Sequence, residues 1–372
     1  MTKTLQKSAL LEAITAANAV SGDNTASLIS TPRDLTIKTN NQDNWISITI
    51  PADGEMEDIQ VSAKTLLDVV SSIRADTISL SVKDNNLAVT AKNGGRRKIA
   101  GYILATPDAP AVGGPTFKFP IAKLQDCIAF VQANICDDSS KMGGALMGVH
   151  FHRHEGVYRA VSVSGNSCAC IDIGSGEEDI EATVGKEALG LLKHMPEGED
   201  VSATFGVTLV SFMWSSGSIV AKRVEGAFAN YVRLVPTHDN KLHISASEIT
   251  AGLRAIQNVA VNDKNIGSVR TMLTLGPRVG EGGEMLDGCD AAFIGQSQGK
   301  EGVEPLDSEW NGPECRIAFA ARVMSNVLSG FAGDELEIGI TPFASKDQAK
   351  PILIRAKGKD DRFAFMMPLL SA

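Results

Sequence analysis

The chain has 372 residues, 43% of them hydrophobic, enough for one large core or two to three ordinary domains. A formal net charge of -9 and a pI near 5.3 exclude a protein that grips nucleic acid with its whole surface, but not one with a local basic face. No apolar run reaches membrane-spanning length.

Lys3 and Lys7 precede an Ala-rich stretch, but Glu12 and Thr15 interrupt it, so it reads as an amphipathic helix rather than an export signal. The chain is therefore expected in the cytoplasm. Its six cysteines (127, 136, 168, 170, 289, 315) form no C-x-x-C pair and are expected as free thiols; a strand through Cys168-Ala-Cys170 would put both on one face.

Leu10, Ile14, Ala17 and Val20 mark one face of a first helix. A second helix pattern, Leu66/Val70/Ile73, is followed by Asp76 and strict alternation at Ile78, Leu80 and Val82, then by a hairpin signal at Asn93-Gly94. After the connector "ATPDAPAVGGP" (105–115) the order returns. Ile121, Leu124, Ile128 and Val131 predict a helix, and Ala188/Leu192/Met195 another. Asp200 then precedes alternation at Val201, Ala203 and Phe205, and a hairpin at Ser216-Gly217. "RVEGAFANYVRLVP" (223–236) and "VPTHDNK" (235–241) follow; two aromatics in so short a connector imply that something packs there.

The third round opens with Ser245-Ala-Ser-Glu248, a capping-box signature, before Ile249, Leu253, Ile256 and Val259. It closes with Met324/Leu328/Phe331, Asp334, alternation at Leu336, Ile338 and Ile340, and a hairpin at Lys357-Gly358. Segment 276–313, glycine-rich and acidic, reads as strands with enlarged loops. The same order three times predicts an α+β chain of three repeated domains, 1–115, 116–238 and 239–372.

With this order in place, "LMGVHF" (146–151), "VEGAFANYVRLVP" (224–236) and the ending "ELEIGITPF…KPILIRAKGKDDRFAFMMPLL" (335–370) carry a resemblance to the bacterial DNA sliding clamps, the beta subunits of DNA polymerase III. It covers essentially the whole chain. The resemblance implies a homodimeric ring around duplex DNA, with helices lining the hole and sheets outside. It implies a non-catalytic processivity factor, without cofactor, that tethers the polymerase III catalytic subunit and meets the clamp loader, other polymerases and repair proteins through a short peptide.

Lumen residues expected from the resemblance are Lys7, Lys64, Arg74, Lys123, Lys141, Lys186, Lys193, Arg254 and Arg322. Across the six helix candidates eight bases face five acids (Glu12, Asp68, Asp126, Glu187, Glu248), while the whole chain has 35 against 44. The same bases also read as solvated helix faces. Ring closure is expected to join Arg96, Arg97 and Lys98 of one subunit to Glu301 and Glu304 of the other, although edge charges also serve solubility alone. The family's peptide pocket is carried onto Val163, Gly165, Asn166, Cys168, Tyr231, Arg233, Leu234, Pro351, Ile352, Met367, Pro368 and Leu369, with Phe228 anchoring the turn. The sequence departs from the family at Val163 to Ser167, where Thr-Asp-Gly-His-Arg is usual, at Ala229 for proline, and in the tail.

Two other readings stay open. His150, His152 and His154 alternate along one predicted strand and could ligate zinc or nickel in a metal-dependent enzyme, or form an exposed strand face. A clamp-fold scaffold that binds proteins without encircling DNA is the other.

Overall fold

The computed structural model describes residues 1–20, 25–92, 94–103, 107–138, 140, 144–196, 198–260, 270–279, 285–297, 300–343 and 348–369; side chains at 258–260, 270, 277–279, 285–289, 296–297 and 300–301 lie outside that description. Strands and helices follow one order three times: a strand, a helix, three strands, then a strand, a helix and three strands. The first round is β1 (Lys3–Gln6), α1 (Lys7–Val20), β2 (Thr25–Ser30), β3 (Asp34–Asn40), β4 (Asn44–Pro51), the short β5 (Asp53–Gly54), β6 (Ile59–Ser62), α2 (Ala63–Ser71), β7 (Thr77–Lys83), β8 (Asn86–Ala91) and β9 (Arg96–Tyr102).

The second runs β10 (Thr116–Pro120), α3 (Ile121–Val131), β11 (Gly148–His154), β12 (Val157–Val163), β13 (Ser167–Ser175), β14 (Glu181–Gly185), α4 (Lys186–Leu192), β15 (Asp200–Phe205), β16 (Leu209–Trp214) and β17 (Gly217–Lys222). The third runs β18 (Lys241–Ser245), α5 (Ala246–Ala260), β19 (Arg270–Val279), β20 (Met285–Ser297), β21 (Lys300–Leu306), the short β22 (Glu309–Trp310), β23 (Cys315–Ala320), α6 (Ala321–Leu328), β24 (Glu335–Gly339), β25 (Ile352–Ala356) and β26 (Arg362–Met366). One hydrogen bond anchors all three rounds. The first helical N–H of α1, α3 and α5 (Lys7, Ile121, Ala246) donates to the carbonyl of Asp76, Glu199 and Asp334, at 2.7, 2.9 and 2.9 Å. The acidic residue before each alternating strand is thus the fixed point of each round, and in the second round it is Glu199 rather than the expected Asp200, which is already the first residue of β15.

By contacts the chain forms two compact units, Met1–Gln125 with Glu178–Val224, and Asp126–Glu177 with Glu225–Ala372. In the first, strands lie in the order β10-β15-β16-β17-β4-β3-β2-β6-β9-β8-β7-β1-β5. Its main core takes the predicted stripe of α1 (Leu10, Ile14, Ala17) together with Leu28, Ile37, Leu66, Val70, Leu80 and Val89. In the second, β11-β12-β13-β26-β25-β24-β18-β22 lie side by side, and β21-β20-β19-β23 form a separate sheet, so the described residues of 276–313 are mostly strand.

Each unit contains one junction between rounds. β4 pairs with β17 (Ile46 opposite Ile219), and β13 pairs with β26 (Ala169 opposite Ala364), both antiparallel. At each junction the third strand of a round's first half meets the third strand of the next round's second half.

Local chemistry departs from expectation in two places. Ser245 Oγ caps α5 by accepting from the Glu248 N–H at 3.1 Å, but the Glu248 carboxylate accepts from the Asp307 N–H, also at 3.1 Å, rather than closing a capping box. The β16–β17 turn is Ser215-Ser216, with Trp214 opposite Gly217. Gly217 is glycine for space: a Cβ there would meet the Trp214 ring at 2.5 Å and the Ser47 carbonyl at 2.6 Å.

Candidate functional site

In the second unit, alternation sorts the strands onto two faces. Tyr158, Ala160 and Ser162, Ala169 and Ile171, and Ala364 and Met366 turn toward the helix-covered side, where Ser162 Oγ donates to the Val131 carbonyl. Val161, Cys168, Cys170, Phe363 and Phe365 turn outward and still form a buried cluster, joined by Val163 and Leu353. What covers them is the aromatic connector: Phe228, Tyr231, Val232 and Val235 pack on this face.

Tyr231 opens a short 3-10 turn, Tyr231–Leu234, and is 3% exposed. Its hydroxyl lies 3.0 Å from His152 Nε2 and 3.7 Å from Cys170 Sγ. Beside it, Arg159 pairs with Asp172 at 3.0 Å. Burial pushes the His152 imidazole down to about 4 and the Cys170 thiol up to about 12, and raises the Cys168 thiol and the Tyr231 phenol. All four groups are therefore neutral near pH 7. The phenol can donate to the imidazole without burying a net charge.

This geometry answers the histidine question. His150 is buried, its ring stacked on Phe228 at 4.3 Å and on His152 at 5.1 Å, and the Nε2 of His152 is engaged by Tyr231. The strand face is neither exposed nor convergent: among the described residues no group of three His, Cys, Asp or Glu side chains is arranged to hold a metal. The imidazoles of His150 and His152 serve as a floor for Phe228 and Tyr231 of the connector.

The predicted pocket residues sort into three groups. Val163, Cys168 and Tyr231 meet in the outer cluster, Tyr231 as a buried peg rather than a reachable wall. Gly165 has φ 91° in the turn closed by the Ser164 N–H to Ser167 carbonyl bond, and the Asn166 carbonyl accepts from the Met367 N–H at 2.8 Å, which brings the tail to this turn. Met367 and Leu234 are 43% and 54% exposed, and Arg233 is exposed, so these are the side chains a partner could touch. Pro351, half-buried, offers its carbonyl to His238 Nε2 at 2.9 Å. Ile352 points to the opposite, helix-covered face, because Leu353 faces outward with Phe365. Pro368 is buried, and the Leu369 N–H bonds the Ala318 carbonyl, holding Leu369 against β23. Sequence reasoning missed Phe363, Phe365, Leu353 and Arg355, whose guanidinium lies 5.0 Å above the Phe363 ring. The alternation of β25 and β26, read by parity, points to all four.

The predicted lumen bases Lys64, Arg74, Lys186, Lys193, Arg254 and Arg322 are exposed, and Lys123 is half-buried. Lys7 instead points its ammonium at the Ile73 carbonyl (2.6 Å), where it caps the C-terminal end of α2. Lys141 lies outside the described residues. Arg96, Arg97 and Lys98 sit on β9, whose 96–100 stretch pairs only with β8; β6 joins at Gly101 and Tyr102. Glu304 sits on β21, the edge of its sheet, and the Glu301 side chain lies outside the described residues.

No protein-family model matches the chain. It is similar to the beta sliding clamp of Treponema pallidum (strain Nichols), 24% identical over 319 residues that span 82% of this chain and 80% of that protein. It is also similar to the beta sliding clamp of Caulobacter vibrioides, 23% identical over 80% of this chain and 78% of that one. Its fold matches the beta subunit of DNA polymerase III from Thermotoga maritima with a TM-score of 0.85 at 18% identity, and the beta subunit from Streptococcus pyogenes at 0.85 and 13%, each over 100% of both chains. The chain thus has the fold of the DNA polymerase III beta subunits over its whole length and is similar in sequence to beta sliding clamps over 82% of it.

Proposed function

We propose that the protein is a DNA sliding clamp: a homodimeric ring that encircles duplex DNA and tethers the replicative polymerase, without catalysis of its own. One observation carries the ring. Two junctions of the same kind, β4 with β17 and β13 with β26, are made within the chain, and the two remaining third strands, β21 and β9, keep open edges. A second copy would satisfy both edges head to tail, with Arg96, Arg97 and Lys98 opposite the acidic strand of Glu301 and Glu304, and like-to-like pairing would set equal charges together.

On this reading the domains are 1–115, 116–238 and 239–372, supported by the hydrogen bond that recurs at each first helix. The exposed helix bases face DNA phosphates, with binding that weakens as salt rises. Arg233, Leu234 and Met367, presented beside the buried Tyr231 cluster, receive the peptide of the polymerase, the clamp loader and repair proteins. The protein works in the cytoplasm. Loaded onto circular DNA, it should stay bound and be lost on linearisation. Retention unchanged by linearisation, or a monomer in sedimentation at micromolar concentration, would leave a scaffold that does not encircle DNA.

A further inference from the structure

The second round lacks a piece that the first and third possess. Counted back from the anchored N–H groups of Lys7, Ile121 and Ala246, Lys3, Phe117 and Leu242 hold one place on the first strand, and Thr4, Lys118 and His243 the next. In the first round the far side of β1 is covered by β5, which sets Asp53 opposite Thr4 and Gly54 opposite Lys3. In the third, β22 covers β18, with Glu309 opposite His243 and Trp310 opposite Leu242, and the Asn311 N–H donates to the Lys241 carbonyl at 3.3 Å. β10 pairs with β15 alone and ends its sheet. The reason lies in the length of one connection. The covers are carried by 52–58 and 307–314, whereas β13 runs on to pair Ser175 with Val157 and leaves only 176–180, none of it strand, before β14.

The edge left open has a defined chemistry. The Phe205 N–H donates to the Pro115 carbonyl at 3.0 Å and the Ile121 N–H to the Glu199 carbonyl at 2.9 Å, so the alternate residues Phe117 and Phe119 spend their backbone groups on β15. The N–H and C=O of Thr116 and Lys118 therefore point away from the sheet, where no described strand meets them. Pro120 has no N–H and bounds the edge. The side chains also register the missing cover. Lys3 and Leu242 are 0% exposed, but Phe117, resting on Phe205 at 5.5 Å, is only half-buried. Lys118 is exposed and forms no ion pair among the described residues.

We infer that β10 is a docking edge for an extended segment of another protein, which pairs antiparallel and sets an acidic residue opposite Lys118 and an apolar residue opposite Phe117. Glu309 and Trp310 do both in the third round, and Asp53 repeats the acid in the first. A second copy of this chain suits the edge poorly. Another β10 strand has no acid to offer, and centred on Lys118 it would set lysine against lysine. The same lysine turns away unselected strands and admits an acidic one.

β10 is neither of the strands proposed to close the ring, so its test is separate from that of the ring. The probe is N-acetyl-Val-Thr-Glu-Trp-Thr-amide, titrated calorimetrically into the full chain. Saturable binding is expected, about threefold weaker when lysine replaces the peptide's glutamate. It should be lost when that glutamate is N-methylated, because its N–H no longer reaches the Lys118 carbonyl. Lys118→Glu should reverse the preference between the acidic and the lysine peptide, with a thermal melt to check that the variant stays folded. No saturable binding up to about 10 mM, equal binding of the two peptides, or undiminished binding of the N-methyl peptide would each overturn the assignment. So would loss of binding in the protein carrying Leu234→Asp and Met367→Asp, which would move the peptide to the outer cluster. A changed oligomeric state of the Lys118→Glu protein would overturn it as well, by giving the edge to a second copy.

Discussion

The two junctions share a ladder and differ in what fills each side. Around β4 and β17 the residues opposite in sense to the buried Ile46, Phe212 and Ile219 form a mixed row, Trp45, Val220 and Met213 with Ser47, Ser211 and Ser218, and the connector meets this side through the Lys38–Asp108 pair. Around β13 and β26 the outward residues are Cys168, Cys170, Phe363 and Phe365, and the connector crosses with Phe228 and Tyr231. Toward the helices each junction is closed by its own aromatics: Phe130 and Phe331, with Arg362, in the second, and Trp214, packed over Gly217, in the first. One backbone pattern thus carries a covered aromatic cluster on its outer face in one place and not in the other, according to where large side chains are spent.

The comparison can be broken most sharply at the outer face of the second junction. Leu234→Asp combined with Met367→Asp should abolish stimulation of the polymerase while sedimentation still shows the dimer; loss of both together would make the connector a structural strap alone. Next in size, Tyr231→Ala should destabilise the protein by about 3 kcal/mol in urea unfolding, because it empties a buried aromatic site. A change below about 1 kcal/mol would mean that the connector does not cover the cluster.

A proton probes the same peg. The His152 imidazole is depressed to about 4 by burial, below its ordinary value of 6.5. Its contribution is therefore intact above pH 6.5 and is lost as pH falls from 6.5 toward 4, since the unfolded chain takes up the proton first. His152→Gln should flatten stability across that window, and an unchanged slope would show that the ring is wet. Tyr231→Phe should cost about 1 kcal/mol at pH 7 through the lost hydroxyl contact. The smallest effects test the inner sides: Asp126→Ala should cost about 1 kcal/mol by freeing Arg362, and Glu12→Ala less than about 0.5 kcal/mol. Equal costs would mean that Glu12 has a partner in solution.

The repeat was legible because each helix stripe and each alternating strand carries its own period, and the acid before the strand marks a fixed point that the backbone uses. The connector was legible as a place where something packs. Its direction was not: Tyr231 reads equally as wall or peg until the outward residues of β13 and β26 are known to be apolar. Ile352 was misdirected for a related reason, since a pocket assigned by place along the chain ignores the parity that turns it to the helices.

The β4–β17 ladder also sets an order of events during synthesis. Asn44 to Ile48 wait for Gly217 to Ala221, so about three-fifths of the chain must leave the ribosome before the first unit can close its own sheet. Until then β4 presents one unpaired edge, with Ile46 and Ile48 along it, to a crowded cell. Contacts so distant in sequence are slow to form. Ser47 and Thr49 share the outward face of β4 with Trp45, which keeps the waiting strand from being apolar along both faces and lowers its appeal to stray partners.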